Sequence, residues 1–271
     1  MTRRDKQPLP PEEARQFAMS LPRSLVLRHS KPEPRPAEQP NESALIDRLK
    51  RFEMFTHLPL PILRTLAQAT HVRVFRVGKY LWRQGEANHG VLFIEQGLAK
   101  TARRVRQDVN RTYGLYGPGD SMGIYAIWTG MKYPTDAVAL SDGMTALQID
   151  SAVLVSCAEN EAILSARLLD EISRFTEALI HKIEIVSAGS APQRIASLMV
   201  MLVKRYGIEV GDGQACLPIY LTLEHVGEIV DARVETVARI LGRWKRQGWL
   251  RVGSSGYHFR HFDKVHGLLL E

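Results

Sequence analysis

Residues 234–244 read VETVARILGRW and combine one carboxylate with two guanidinium groups that are four residues apart. An arginine can donate two hydrogen bonds to O6 and N7 of guanine, and a glutamate can accept one from N4 of cytosine. Glu235 and Arg239 are four residues apart, so a helix would place them on one face. The alternative is an ordinary helical salt bridge between the two, which would contribute only about 0.2 to 0.5 kcal/mol.

The apolar residues of the same segment indicate which face would be buried. They recur at intervals of three and four, as on an amphipathic helix, at Val237, Ile240, Leu241 and Trp244. The outward face then carries seven candidate DNA contacts: Arg233, Val234, Glu235, Thr236, Ala238, Arg239 and Arg243. Small apolar side chains among them can rest against a thymine methyl group. Between residues 233 and 251, Glu235 is a single acid among six Lys or Arg residues, which favours a polyanionic partner.

The neighbouring segments predict the element that would present this face. In order, the sequence favours a helix, a turn, a second helix and a hairpin over residues 221–230, 231–232, 233–248 and 250–259. Two helices joined by a short turn and followed by a hairpin are typical of a winged helix-turn-helix, whose second helix enters the DNA major groove. We predict such a domain over residues 190–271.

Between residues 71 and 150 the sequence changes to short runs of β-branched and aromatic residues separated by glycine-bearing turns. Strands at this spacing predict a barrel or sandwich, and with two short helices before it we assign residues 44–155 to one β-rich domain. Residues 1–43 hold eight of the fourteen prolines and few large apolar side chains. They are predicted to be a disordered extension.

A long amphipathic helix is predicted from Glu161 to about Ala188, because apolar residues recur there at intervals of three and four. We assign residues 156–189 to this dimerisation helix. Such a seam fits a partner helix, and its candidate dimer contacts are Leu168, Ile172, Phe175, Leu179, Ile183 and Val186. The alternative is that the seam packs only onto the chain's own β-rich domain. Glu171, Lys182 and Glu184 would then form the solvated face.

Composition and motif content limit which other classes of protein the sequence could belong to. The formal net charge of +7 is compatible with a polyanionic partner without establishing one. Cys157 and Cys216 stand in no CxxC or Cys/His cluster, which argues against a zinc site or an iron–sulfur cluster. No nucleophile elbow, P-loop, paired-carboxylate or metal-ligand pattern occurs, so no catalytic or metal-binding residue and no enzyme is predicted. An export signal and an 18-residue apolar run are both missing from the sequence, which predicts a cytoplasmic protein without a membrane span.

Residues 222–244, with Gly248, resemble the helix-turn-helix of Crp/Fnr bacterial transcription regulators, and the pattern VETxxRxLGRxxxxG is closer to the Fnr branch. Residues 82–87, 92–97 and 116–123 are similar to the glycine turns of the family's β-roll. The resemblance covers the chain beyond about residue 43. It implies an α+β fold: an N-terminal β-roll, which is a jelly roll of the cyclic-nucleotide-binding type, a long dimerisation helix and a C-terminal winged helix-turn-helix.

The function implied by the resemblance is that of a homodimeric regulator that binds double-stranded DNA and contacts RNA polymerase. Its base-reading Glu and Arg fall on Glu235 and Arg239, which implies an inverted repeat of TTGA-like half-sites. The family usually has Ser where Ala238 stands, Ser or Thr where Arg233 stands, and a turn Gly where Asp231 stands. The first departure bears on base preference, and the second exchanges a helix cap for a side chain that can reach a phosphate. Asp tolerates the left-handed conformation that the turn requires.

The signal that such a regulator would sense stays open. In the cyclic-nucleotide branch a Gly-Glu pair and an Arg-Ser or Arg-Thr step hold ribose and phosphate. Here Gly123 precedes Ile124, and residues 133–137 read YPTDA, so a cyclic nucleotide is not expected. The Fnr branch proper holds an iron–sulfur cluster near its N-terminus, and residues 1–43 contain no cysteine. Haem stays open because one or two histidines suffice, the candidates being His57, His71, His89 and His181.

A rival interpretation is a cyclic-nucleotide-type sensor module that regulates a protein partner and carries a non-functional helix-turn-helix. It predicts association that does not depend on salt and no footprint on an inverted repeat.

Overall fold

The computed structural model describes residues 40–106, 109–127, 132–253 and 256–270. Most of the predicted extension over residues 1–43 therefore lies outside the described residues, as does the tip of the predicted hairpin at Ser254 and Ser255. The end of that extension is helical, because the Asn41 side chain accepts a hydrogen bond from the Ala44 amide at 2.9 Å and caps a helix that begins at Glu42. The chain divides into two compact units at residues 180 and 181, and each is described by itself.

The first unit begins with two helices, α1 (Glu42–Leu49) and α2 (Leu60–Gln68), joined by a 3-10 turn at Glu53–Phe55. They agree with the two short helices that the sequence predicts. Pro61 lies in the first turn of α2, where its missing N–H costs no helical hydrogen bond.

Eight strands follow: β1 (Thr70–Phe75), β2 (Tyr80–Trp82), β3 (Gly90–Gln96), β4 (Ala99–Arg106), β5 (Val109–Tyr116), β6 (Ser121–Met122), β7 (Asp136–Ala139) and β8 (Met144–Asp150). They form two four-stranded sheets, in the orders β1-β8-β3-β6 and β2-β7-β4-β5, and neighbouring strands are antiparallel. The predicted β-roll is confirmed.

Strand β3 is apolar on both faces because each face meets a different core. Val91 and Phe93 belong to a cluster with the helices, where Phe93 contacts Phe55 edge to face with ring centroids 4.9 Å apart. Leu92 and Ile94 belong to the cluster that includes both sheets. The continuous apolar run in the sequence therefore reflects a strand covered on both sides.

The helical segment after the roll is interrupted at Glu161. Asp150 caps α3 (Ser151–Asn160) by accepting hydrogen bonds from two backbone amides, and a second helix, α4, spans Ala162–Ser187. Glu161 between them has extended backbone dihedrals, φ −135° and ψ 101°. The long helix therefore agrees with the one that the sequence predicts from Glu161 to about Ala188, and the first residues of the segment assigned over 156–189 belong to α3.

The second unit contains α5 (Ala191–Tyr206), β9 (Ile208–Gly211), β10 (Gln214–Leu217), α6 (Leu223–Val230), α7 (Val234–Arg246), β11 (Leu250–Gly253), β12 (Gly256–Phe259) and α8 (Phe262–Gly267). Its strands form one sheet in the order β11-β12-β10-β9. The apolar periodicity of residues 193–206, which ends at Gly207, predicts α5. The sequence also predicts α6, α7 and the β11-β12 hairpin but misses β9, β10 and α8. Among the described residues, no helix is long and apolar enough to span a membrane.

Candidate nucleic-acid interface

The turn between α6 and α7 depends on close backbone approach at Gly227. Thr222 caps α6 through its side chain, which accepts a hydrogen bond from the His225 amide. At the other end of α6, the Gly227 carbonyl accepts from the Ala232 amide at 3.0 Å. A Cβ atom at Gly227 would lie 2.7 Å from the Ala232 carbonyl oxygen, so the turn can approach this closely only because residue 227 has no side chain.

The turn residue Asp231 is left-handed, with φ 51° and ψ 50°, as the sequence predicts for an aspartate in place of glycine. Two cations hold the carbonyls around it. Arg194 Nη1 donates to Val230 O at 2.9 Å and to Asp231 O at 3.1 Å, and Lys182 Nζ donates to Ile229 O. These groups satisfy the carbonyls that α6 leaves unpaired at its C-terminus.

Lys182 is therefore not part of a solvated helix face. Its ammonium group also lies 3.8 Å from Asp231 Oδ1, and about a seventh of its side chain is exposed. No role for Arg194 follows from the sequence pattern. Neither contact is visible in a local pattern, because the paired residues are 36 to 47 positions apart.

Helix α7 buries the face that the sequence predicts. Val237, Ile240, Leu241 and Trp244 are each at most 3% exposed. Trp244 also lies beside Trp249 of the next segment, with ring centroids 6.3 Å apart. This packing fixes the rotation of α7 about its axis, so the opposite face must point to solvent.

The opposite face presents the predicted reading residues. Arg233, Glu235, Arg239 and Arg243 are exposed, and Val234, Thr236 and Ala238 are half-buried between them. Arg233 occupies the N-cap position with extended dihedrals, and its side chain makes no capping hydrogen bond.

Within the described part of the chain, no ion pair links Glu235 to Arg239, although their spacing would allow one. Glu235 lies in the first turn of α7, where the positive end of the helix dipole stabilises a carboxylate. Arg243 and two further cations occupy the last turn, where the dipole has the opposite sign. The charges of this face are thus stabilised locally and remain available to a partner.

The hairpin after α7 is anchored at its base. In β11 and β12 the register pairs Leu250 with Phe259 and Gly253 with Gly256. The Tyr257 hydroxyl donates to the Leu221 carbonyl at 2.8 Å, and burial raises the pKa of this hydroxyl, so it stays a donor. This hydrogen bond ties β12 to the segment just before α6.

The predicted dimer seam of α4 divides among different surroundings. Leu168 is fully buried in the first unit's own core, together with Leu164 and the helices, so its assignment to the dimer contacts is corrected. Phe175 and Leu179 line a cavity of the same unit, and Ile172 and Val186 are half-buried. Of the predicted contacts, Ile183 is the strongly exposed one, at 61%.

The sequence prediction missed three exposed apolar residues of α4: Ile163, Leu169 and Ile180. Leu169 is 63% exposed and Ile180 is 49% exposed. Leu169, Ile180 and Ile183 are separated by eleven and three positions, which is about three turns and one turn of a helix. They form an exposed stripe on α4 beside the buried stripe that includes Leu168. Intervals of three and four residues fit both stripes.

The stretch that would hold a cyclic nucleotide's phosphate has a different chemistry. Asp136 Oδ1 accepts a hydrogen bond from the Gln84 amide at 2.8 Å. Tyr133 stacks on Trp82 with ring centroids 4.2 Å apart, and burial raises the pKa of Tyr133 to about 12. Ile124, at the position after Gly123, is buried and apolar. A carboxylate and aromatic rings therefore occupy the region where a phosphate would need a cation.

The four histidines considered as haem ligands are all exposed: His57, His71, His89 and His181. None of them lines the cavity of the first unit. In the described residues, no group of three or more His, Cys, Asp or Glu side chains is placed to hold a metal ion.

Comparison with known proteins identifies both parts of the chain. Residues 72–161 match the cyclic nucleotide-binding domain, and residues 193–264 match the Crp-like helix-turn-helix domain. The chain is 24% identical over 178 residues to the CRP-like cAMP-activated global transcriptional regulator of Mycobacterium tuberculosis, covering 66% of this chain and 79% of that protein. It is 25% identical over 175 residues to the fumarate and nitrate reduction regulatory protein of Escherichia coli, covering 65% and 69%.

Solved structures confirm the fold. FixK2 from Bradyrhizobium japonicum matches with a TM-score of 0.64 and 16% identity, over 73% of this chain and 96% of that one. A CooA mutant from Carboxydothermus hydrogenoformans matches with a TM-score of 0.63 and 14% identity, over 91% and 99%. The α+β fold with a β-roll, a long helix and a C-terminal helix-turn-helix domain is the one predicted. The two family matches together span more than half of the sequence, and the chain belongs to the Crp/Fnr family of transcription regulators.

Proposed function

We propose that this regulator binds an inverted repeat of TTGA-like half-sites as a homodimer. The observation that carries the proposal is the pair of exposed side chains Glu235 and Arg239, which share one face of α7 and are not joined by an ion pair. A carboxylate that faces DNA without a partner is repelled by phosphates, so it needs a donor such as the amino group of cytosine.

The remaining residues of the face suit supporting contacts. Arg239 matches the two acceptors of guanine, and the half-buried Val234 and Ala238 match thymine methyl groups. Arg233 and Arg243 flank this set at the two ends of α7, and we assign them to phosphates, which fix the register of the helix on the duplex. Thr236 completes the set, since its half-buried hydroxyl can contact either a base or a phosphate.

The dimer contact is proposed on the exposed apolar stripe of α4, at Leu169, Ile180 and Ile183, with Ile172 and Val186 at its margins. Two symmetric copies of α7 would then enter successive major grooves, which requires half-site centres about 34 to 36 Å apart. In this scheme residues 44–155 form the sensor domain, and residues 190–271 form the DNA-binding domain. RNA polymerase is the further partner, and the site of action is the cytoplasm, where the DNA lies.

The test is selection of bound sequences from random duplex DNA by the purified full-length protein, followed by anisotropy titrations at several salt concentrations. We expect an inverted repeat with TTGA-like halves and an affinity that falls steeply with salt. Selection of no motif, together with salt-independent association with a protein, would instead support the sensor module with a non-functional helix-turn-helix.

A matched pair of variants locates the reading face. Arg239→Ala should abolish enrichment at one position of each half-site. Lys264→Ala removes an equally exposed cation from α8, outside that face, and should leave the selected motif unchanged. Equal effects of the two variants would contradict the assignment of base reading to α7.

A further inference from the structure

The first unit encloses a cavity of about 240 Å³ beside α4. Its walls are mostly aromatic or apolar and include Trp82, Tyr113, Tyr116, Met122, Tyr125 and Phe175. An apolar cavity of about 150 Å³ is known to accept a benzene molecule, so this space is large enough for a fused pair of aromatic rings. Aromatic walls with few polar groups are typical of sites for small apolar ligands.

One of the residues that line this cavity has a polar atom without a partner. The Tyr125 hydroxyl is buried and has no hydrogen-bond partner in the described structure. Burial raises the pKa of this hydroxyl, so it is a donor at neutral pH. The neighbouring Ser121 hydroxyl is already committed, because it donates to Glu171 Oε2 at 2.6 Å. A ligand with a suitably placed acceptor would satisfy Tyr125.

The charges around the cavity do not favour an anion inside it. Arg103 is the cation that lines it, but this residue is exposed and lies opposite Arg111 on the neighbouring strand. Asp136 follows Thr135 of the cavity wall and is held by the Gln84 amide. Glu171, behind Ser121, is a buried acid whose pKa is raised by burial despite its contact with Arg174. An uncharged ligand avoids the cost of burying a charge beside these carboxyl groups.

The cavity is linked to the long helix through stacked rings. Tyr125 stacks on Phe175 of α4 with ring centroids 5.2 Å apart and planes 20° apart, and Leu179 lines the cavity one turn further along. An occupant that bonds to Tyr125 therefore also contacts the helix to which we assign dimerisation. The regulatory meaning of this link rests on the proposed function, whereas binding itself does not.

We propose that the cavity binds an uncharged, planar, apolar molecule of about two fused rings that carries one hydrogen-bond acceptor, with Tyr125 as the donor. This ligand class differs from the anionic cyclic nucleotides. It explains why the β-roll keeps a tyrosine hydroxyl buried without a partner.

The test uses Prodan, an uncharged naphthalene with one ketone, whose emission moves to shorter wavelength when it leaves water. The full-length protein is titrated without DNA, so the result does not depend on the proposed DNA site. We expect saturable binding by the wild type and about five-fold weaker binding by Tyr125→Phe. Tyr80→Phe is the matched control, because Tyr80 is an exposed tyrosine of the same unit that does not line the cavity, and its affinity should equal that of the wild type.

Further measurements distinguish binding of Prodan in the cavity from its nonspecific binding to the protein surface. A bulky side chain in the cavity wall, as in Thr135→Trp, should abolish saturable binding, and 2-(dimethylamino)naphthalene, which lacks the ketone, should bind wild type and Tyr125→Phe equally. Cyclic AMP at millimolar concentration should not displace Prodan. Absence of saturable binding, equal Prodan affinity in Tyr125→Phe, binding that survives Thr135→Trp, or displacement by cyclic AMP would each overturn the proposal.

Discussion

Replacing Tyr125 or Tyr133 by phenylalanine removes the same hydroxyl group from two sites in one unit, and the structure predicts opposite effects on stability. The single proton of the Tyr133 hydroxyl is shared between two acceptors, Asn88 Oδ1 at 3.1 Å and Gly90 O at 3.3 Å. The Tyr125 hydroxyl is buried without a partner in the described structure. Because both changes keep the aromatic ring, the stacking of Tyr133 on Trp82 and of Tyr125 on Phe175 is retained.

The magnitudes follow from what each hydroxyl does. Tyr133→Phe loses one hydrogen bond, which lowers the free energy of unfolding by about 1 kcal/mol. The loss stays small because Asn88 Oδ1 also accepts from the Gly90 amide at 2.9 Å. Tyr125→Phe loses no bond and removes a buried polar group whose desolvation costs about 1 to 3 kcal/mol when unpaired. We expect it to raise the free energy of unfolding by about 1 kcal/mol.

Calorimetry of the full-length protein without ligand measures both variants. A change of 1 kcal/mol corresponds to a shift of about 3 °C in the midpoint for a domain of this size. The transition of the β-roll should therefore rise by about 3 °C in Tyr125→Phe and fall by about 3 °C in Tyr133→Phe. If Tyr125→Phe is destabilised as much as Tyr133→Phe, the Tyr125 hydroxyl has a partner in the free protein and the argument for a ligand acceptor fails.

Three further predictions concern the helix-turn-helix. Arg239→Ala should weaken binding to the selected repeat by about 1 to 3 kcal/mol per half-site and flatten discrimination at one base pair, as measured by anisotropy on single-base variants; equal weakening on all sequences would make Arg239 a phosphate contact. Arg233→Ser should raise the free energy of unfolding in urea by about 1 kcal/mol, because it supplies the missing cap. The same variant should reduce the salt slope of DNA binding by about two, one for each protomer, and an unchanged slope would remove Arg233 from the interface. Gly227→Ala should destabilise the second unit by about 1 to 3 kcal/mol, because its Cβ would lie 2.7 Å from Ala232 O; a wild-type melting curve would show that the turn can yield.

The reading face was predictable because its determinants are local. The inward residues of α7 follow one helical period, and their burial alone decides that Glu235 and Arg239 point outward. The left-handed turn at Asp231 was predictable from residue type for the same reason. What the sequence could not show is how the turn is held, since Lys182 and Arg194 reach it from distant positions.

The missed elements of the second unit carry weak local signals. Strands β9 and β10 have four residues each, and three consecutive residues at their junction have positive φ: Gly211, Asp212 and Gly213. Such a segment has the composition of a loop. It becomes a hairpin because β10 pairs with β12, a partner more than 40 positions away in the sequence.

The seam of α4 shows a limit of periodicity itself. Intervals of three and four identify apolar stripes on a helix, but they do not say what covers each stripe. Leu168 and Leu169 are adjacent in the sequence, yet the first is fully buried in its own core and the second is 63% exposed. A single helix that packs on its own domain and also presents a surface to a partner contains both stripes, and only the tertiary structure distinguishes them.

For the cavity of the β-roll, the sequence predicts only which ligand is excluded. The missing arginine in residues 133–137 indicates what the site does not hold. What it can hold depends on Trp82, Tyr125 and Phe175, which come from a strand, a short helical turn and the long helix. No local pattern brings these rings together, because their spacing in the sequence is tens of residues. The same assembly that forms the aromatic walls also buries the Tyr125 hydroxyl, so the shape of the cavity and its need for an acceptor have a single structural cause.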